Sequence, residues 1–199
     1  MRALLLLPTL LLSGARIPGD DASWETLLEN PVRVECTTLE GEPWCRSSGL
    51  LRAPIDEVAR ALEDMRYNAS AFKSIVRIDN LDATAIRVVL DYPPPLDDRD
   101  YVSRYTSLRE GEARIVRWTP VVHPDAPVEP GIVRLPRFAG EWRLLPCEGG
   151  TLVRYTWQAE IAGSFPSFGY PTARRRAGTE ALLDLARVRK ARLDPPPGP

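Results

Sequence analysis

The sequence predicts an α+β protein in which a curved antiparallel β-sheet wraps around one long C-terminal helix and leaves an internal cavity between them. Three observations predict it. From residue 74 to residue 161 one strand pattern follows another, punctuated by Gly, Pro, Asp and Asn as hairpin connections require. After that run, residues 173–188 place Ala173, Ala177, Leu182, Leu185 and Val188 at helical spacing. Finally, the run that opens at Arg99-Asp100 alternates Tyr101, Ser103 and Tyr105 against Val102, Arg104 and Thr106. A packed core prefers Val, Ile and Leu on its inner face. Tyr-Ser-Tyr suits instead a pocket wall that offers ring area to an apolar guest and hydroxyls to its polar end.

The elements follow in order. In DASWETLLEN, Asp20 to Ser23 offer capping groups and Trp24, Leu27 and Leu28 share a helical face, which predicts a short helix stopped by Pro31. Strands are expected over 32–38 and 44–51, joined by the EGEP turn. PIDEVARALEDM predicts a better helix, with Pro54 near its first turn and Ile55, Val58, Ala59, Leu62 and Met65 at helical spacing. Six strands are then expected, over 74–78, 84–92, 99–109, 113–122, 131–145 and 151–161. The last is the clearest: Val153, Tyr155, Trp157, Ala159 and Ile161 share one face and Arg154, Thr156, Gln158 and Glu160 the other. A final helix is expected to run to about residue 193, starting late or kinking at Gly169 and Pro171, before a disordered tail, DPPPGP. One domain over 20–193 accounts for the whole pattern, without internal repeats.

The N-terminal MRALLLLPTLLLSGA carries one basic residue, an apolar run too short to span a bilayer, and small residues Ser13 and Ala15 at a cleavage point. An export signal over 1–15 is therefore expected, with a periplasmic or secreted mature protein starting near Arg16. Cys36 and Cys45 flank a hairpin turn, so they face one another either as a disulfide or as two unpaired small side chains, with Cys147 left over. The formal net charge of −1 gives no reason to expect a nucleic-acid partner. The single histidine, His123, completes neither a metal site nor a nucleophilic triad, and no cofactor is expected. Residues 174–192 hold seven basic side chains against two acidic ones, either a surface for anionic headgroups or a solvated helix face.

Four motifs in order carry a resemblance: PPPLDDRDYVSRY, VEPGIVRLPRF, EWRLLP and LVRYTWQAEIAGSFPSF. Together they resemble the START domain, the lipid-transfer module of the helix-grip fold, over roughly residues 49–192. The resemblance implies a non-catalytic carrier or sensor of a lipid-like ligand, and transient contact with a membrane surface. It also implies that the loop TPVVHPDAPVEPG covers the cavity mouth as a lid, where the plainer expectation is an irregular surface hairpin. The expected ligand-binding residues are Tyr101, Ser103, Tyr105, Arg134, Tyr155, Trp157 and Phe168, with no catalytic or metal-binding residue. Tyr105 stands where several sterol-binding members carry an inward arginine, so that family charge buried in the cavity is not carried over. A polyketide cyclase or aromatase using the same cavity is the enzymatic alternative. A ligand-free interaction module is the third.

Overall fold

A computed structural model describes residues 16–65, 68–94, 96–163 and 166–197. The segment expected to be an export signal lies outside the described residues. The elements are β1 (Glu25–Leu28), β2 (Arg33–Leu39), β3 (Glu42–Leu51), α1 (Ile55–Met65), β4 (Ile75–Asn80), β5 (Ala85–Leu90), β6 (Asp98–Glu110), β7 (Ala113–Pro120), β8 (Ile132–Arg134), β9 (Gly140–Cys147), β10 (Gly150–Gln158), α2 (Tyr170–Arg189) and β11 (Leu193–Asp194). They form an 11-stranded sheet with the order β1-β2-β3-β10-β9-β7-β6-β5-β4, while β11 pairs with β3 and β8 with β6. Every pairing is antiparallel except β8 with β6.

The expected first helix is instead strand β1. A ten-residue helix is marginal by itself, and here Glu25, Thr26 and Leu28 pair with Cys36, Glu35 and Val34 at the sheet edge, so ladder bonds and burial of Leu27 and Leu28 decide the outcome. The expected strand over 131–145 is two strands. Leu135 breaks away where its N–H donates to the Asp100 carbonyl at 2.7 Å, Pro136 follows, and Gly140 restarts the ladder as β9. In α2, Pro171 occupies the first turn, where its missing N–H costs nothing, so the helix neither starts late nor kinks there. It ends at Arg189, with Lys190 in the left-handed conformation as its cap, before the expected residue 193. Leu193 and Asp194 then pair with Leu51 and Leu50, so the tail begins as a strand.

Cys36 and Cys45 are opposite in register and joined by a disulfide; Cys147 is free and exposed. The main core lies where α1 and the C-terminal half of α2 meet the sheet: Val34, Leu51, Val58, Leu62, Leu144, Leu182 and Leu185 are buried there. A smaller cluster joins Ile86 and Val88 of β5 and Tyr101 of β6 to Leu135, the residue after β8. Gly178 sets the approach of α2 to the sheet, since a Cβ there would stand 2.8 Å from the Trp157 ring and 3.1 Å from the Ser47 side chain. On the N-terminal side of that contact, Ala177 is exposed, so the helix stands off the sheet. Val188, expected on the inner side, is exposed as well.

Candidate functional site

Between the two core clusters lies a cavity of about 640 Å³, within the range of about 300–1,000 Å³ usual for small-molecule sites. Its sheet wall is aromatic. Tyr101 meets Phe138 at 4.3 Å between ring centroids, Trp118 meets Tyr155 at 5.6 Å, Trp142 meets Tyr155 at 4.4 Å, and Tyr155 meets Trp157 at 4.9 Å. Trp118 stacks on Phe138 at 6.2 Å, which links the two ends of the array, and on Tyr105 at 6.0 Å. Strand register explains these neighbours, because Tyr105 pairs with Trp118 and Tyr155 with Trp142. Gly140, opposite Trp118, makes room for it: a Cβ there would come within 2.3 Å of the indole ring. Aliphatic Ile75, Ile86, Val88 and Leu135 complete the sheet side, and Ala173, Ala177 and Ala181 of α2 form the facing wall.

The polar groups of this wall are phenols. Burial pushes the Tyr101 hydroxyl well above its ordinary pKa, and nearby Tyr105 and Tyr155 add to the effect, Tyr105 also sharing a hydrogen bond with it. Burial likewise raises Tyr155, reinforced by Tyr105. Both phenols therefore stay protonated at neutral pH, as hydrogen-bond donors and poor bases. The carboxylates of the lining are largely answered by the protein itself: Glu160 by Arg137 at 3.1 Å, Glu180 by Arg176 at 2.9 Å, and Asp184 by Arg187 at 3.2 Å and the Lys73 amide at 2.9 Å. At the mouth, Phe168 is 88% exposed.

Of the expected ligand-binding residues, Tyr101, Tyr105, Tyr155, Trp157 and Phe168 lie on the cavity lining. Ser103 and Arg134 do not. Ser103 is fully buried, and its hydroxyl donates to the Phe138 carbonyl at 3.3 Å, a bond within the wall that a short side chain reaches and the cavity does not. Arg134 turns to Asp100, donating through Nε at 2.6 Å and a terminal nitrogen at 2.9 Å. Asp100 is fully buried and also accepts from Arg87 at 2.6 Å, so one carboxylate is held between two guanidiniums. The adjacent Arg99 is buried over the Tyr92 ring at 4.4 Å and donates to the carbonyls of Asp97 and, at 3.2 Å, Ala162. It thereby ties the chain preceding α2 to the start of β6.

Residues 119–134, which include the expected lid, are absent from the cavity lining. Glu129 pairs with Arg77 at 2.8 Å and with Arg87, and Arg134 donates to the Ala126 carbonyl at 3.2 Å. These bonds hold the loop against β4–β6, and the hydrogen bonds from Arg87 and Arg77 hold the Glu129 carboxyl below its usual range. His123 accepts from the Asp125 N–H at 3.2 Å and also lies away from the cavity. Among the described residues no group of His, Cys, Asp and Glu is arranged to hold a metal ion. Trp118, Phe138 and Trp142 were not singled out from the sequence. Alternation of Val116 with Trp118 in β7 was a signal for the first; Phe138 lies in the irregular segment between β8 and β9, where no periodicity points to it.

No family model matches the chain. An uncharacterized protein of Pseudomonas aeruginosa is 26% identical over 148 residues, covering 70% of this chain and 73% of that protein. A STAR-related lipid transfer protein from Xanthomonas axonopodis superposes with a TM-score of 0.70 at 26% identity, over 83% of this chain and 98% of that one. Human StAR-related lipid transfer protein 5 gives a TM-score of 0.74 at 19% identity, over 86% and 88% of the two chains, and shares the fold. With the alignment running along almost the whole bacterial structure, the chain has the helix-grip fold of the START-domain proteins and resembles that family.

Proposed function

We propose that the protein binds a hydrophobic, lipid-like molecule in the aromatic cavity and carries or senses it without changing it chemically. The observation that carries this reading is the 640 Å³ cavity itself, walled by aromatic and aliphatic side chains with phenol hydroxyls among them. A 16-carbon chain gains on the order of 12 kcal/mol gross on leaving water, at about 0.8 kcal/mol per methylene, so such a cavity is a shelter comparable to a bilayer. The absence of catalysis is supported by the chemistry of the lining. Catalysis needs a positioned acid or base, whereas the buried phenols are held protonated and His123 lies elsewhere. Export to the periplasm or outside the cell is part of the proposal, supported by the signal-like N-terminus and the buried Cys36–Cys45 disulfide, which suits an oxidising compartment. So is transient membrane contact, supported by exposed Phe168 at the cavity mouth, a few residues from exposed Arg175.

Gently purified protein examined by native mass spectrometry, then extracted, tests the reading: one bound hydrophobic molecule per chain is expected. Ala177→Trp is the companion variant. Ala177 is exposed and faces the cavity, so added bulk enters empty space, and the variant should lose the ligand while melting as the parent does. A parent without bound molecule that takes up no lipid from vesicles sinks the proposal, as does turnover of an aromatic polyketide panel for its non-catalytic part.

A further inference from the structure

Among the described lining residues, one half-buried charged group has no ion pair, while Lys73 and Asp91 border the cavity with exposed side chains. Arg174, on the first half of α2, lies on the lining, half-buried. Its Nε is sealed from solvent and has no hydrogen-bond partner among the described residues. The nearest compensation is the Tyr170 ring, 5.3 Å from the guanidinium carbon. Burial lowers its pKa, the mark of a cation removed from water without a counter-ion. Its neighbour Arg176 is spent on Glu180, and the buried Arg99 rests on backbone carbonyls and Tyr92. Lys73 also borders the cavity, but its side chain is exposed and its backbone is fixed to Asp184. Asp184 is ten residues along α2 from Arg174, about 15 Å away at 1.5 Å per residue, so Lys73 is anchored well apart from the Arg174 turn of the helix.

Volume restricts the remainder of the guest. A methylene, close in size to a water, takes about 30 Å³, so 640 Å³ holds about twenty such groups. One chain of sixteen to eighteen carbons with a compact head fills it. Two such chains need about 1,000 Å³, so the second would lie outside the cavity.

We infer that the ligand is a single-chain amphiphile with an anionic oxygen head, a carboxylate or a phosphate monoester, seated with its head at Arg174 and its chain along the aromatic wall. This rests on the cavity binding a hydrophobic molecule at all. A partly desolvated guanidinium beside an apolar cavity selects such a head, because a bidentate Arg–carboxylate or Arg–phosphate pair supplies the missing counter-ion. An uncharged head leaves the cation as it was.

The test compares four probes bound to delipidated full-length mature protein, by native mass spectrometry and quenching of tryptophan fluorescence: palmitate, palmitoyl lysophosphatidate, uncharged monopalmitoylglycerol and two-chain dipalmitoyl phosphatidate. At least one single-chain anion should bind about tenfold or more tightly than monopalmitoylglycerol, and whichever anion binds better assigns the head. Arg174→Gln should erase that preference without changing the binding of monopalmitoylglycerol or the melting temperature, Arg174→Lys should keep part of it, and Lys73→Gln should leave it intact. Equal binding of charged and uncharged single-chain probes by the parent overturns the inference while the cavity reading stands. A preference lost in Lys73→Gln and kept in Arg174→Gln overturns the placement of the head. Dipalmitoyl phosphatidate bound as tightly as its lyso form overturns the single-chain limit. If no probe binds, the uncharged one included, the cavity reading falls and this inference with it.

Discussion

At the scale of single residues, close approach and burial settle what each side chain does. Gly140 is the sharpest case, because an added Cβ would stand 2.2 Å from the Thr156 carbonyl oxygen and 2.3 Å from the Trp118 ring. Neither the backbone oxygen nor a buried indole yields easily. Gly140→Ala should therefore cost about 1–3 kcal/mol or more and disturb the tryptophan emission, measured by urea unfolding and fluorescence of the native state. Tyr101 and Tyr155 make a second prediction. Their phenols are raised by burial in the folded protein, so their neutral forms contribute stability that is fully present below the unfolded tyrosine pKa of about 10 and lost as pH rises toward the folded values. Alkaline unfolding should begin near pH 10, and the double Tyr101→Phe, Tyr155→Phe variant should unfold at higher pH than the parent. An unchanged alkaline midpoint would remove these phenols from the account.

At the scale of elements, β6 does two jobs with its first residues. Tyr101 and Tyr105 enter the cavity wall, while Asp100 ties β5 and β8 to β6 through Arg87 and Arg134. Neutralising the carboxylate leaves two guanidiniums facing one another at a buried position, so Asp100→Asn should cost about 3–5 kcal/mol. Arg134→Met should cost less, since Arg134 is 21% exposed, and should leave ligand affinity unchanged because the side chain points away from the cavity. Weaker ligand binding at unchanged stability would restore Arg134 to the site. The β2–β3 hairpin carries the third element-scale prediction. Its disulfide spans nine positions, and closing a loop of that size stabilises by about 2–3 kcal/mol in the chain-entropy account. Cys36→Ala with Cys45→Ala should lower the urea midpoint accordingly, and a reductant should do the same to the parent and nothing to the variant.

At the scale of the whole molecule, the three arginines that open the basic helix divide their roles. Arg174 faces the cavity, Arg176 pairs with Glu180, and Arg175 is exposed with one hydrogen bond to Thr172 at 3.2 Å. The proposed docking on an anionic membrane therefore falls to Arg175 and Phe168. Each Arg near an anionic surface contributes about 1 kcal/mol, so Phe168→Ser with Arg175→Gln should weaken binding to phosphatidylserine vesicles about tenfold, reduce its salt dependence and leave the melting temperature unchanged. Equal vesicle binding by variant and parent at low salt would rule this edge out.

The sequence by itself determined the elements whose patterns are long and strictly periodic: β10 with its alternating faces, α1, the body of α2, and a β6 too aromatic for a solid core. Period 2 and period 3.6 are local properties of the chain, and they survive any packing that respects them. Motif order then carried the family resemblance. Tertiary structure decided what depends on partners far along the chain. Glu25 to Leu28 became a strand because β2 offered a free edge, and the 131–145 pattern broke because Asp100 drew Leu135 and Arg134 to β6. Ser103 shared a face with two cavity tyrosines and still missed the cavity, because the Phe138 carbonyl lies within reach of its hydroxyl. The lid expected over 119–131 is held to β4–β6 by Arg77, Arg87 and Arg134, whose positions in sequence say nothing of that meeting. Arg174 was one of three adjacent arginines in the sequence. Only the stand-off of α2 from the sheet, set by Gly178 against Trp157, distinguishes it as the half-buried arginine on the cavity lining whose Nε has no hydrogen-bond partner among the described residues.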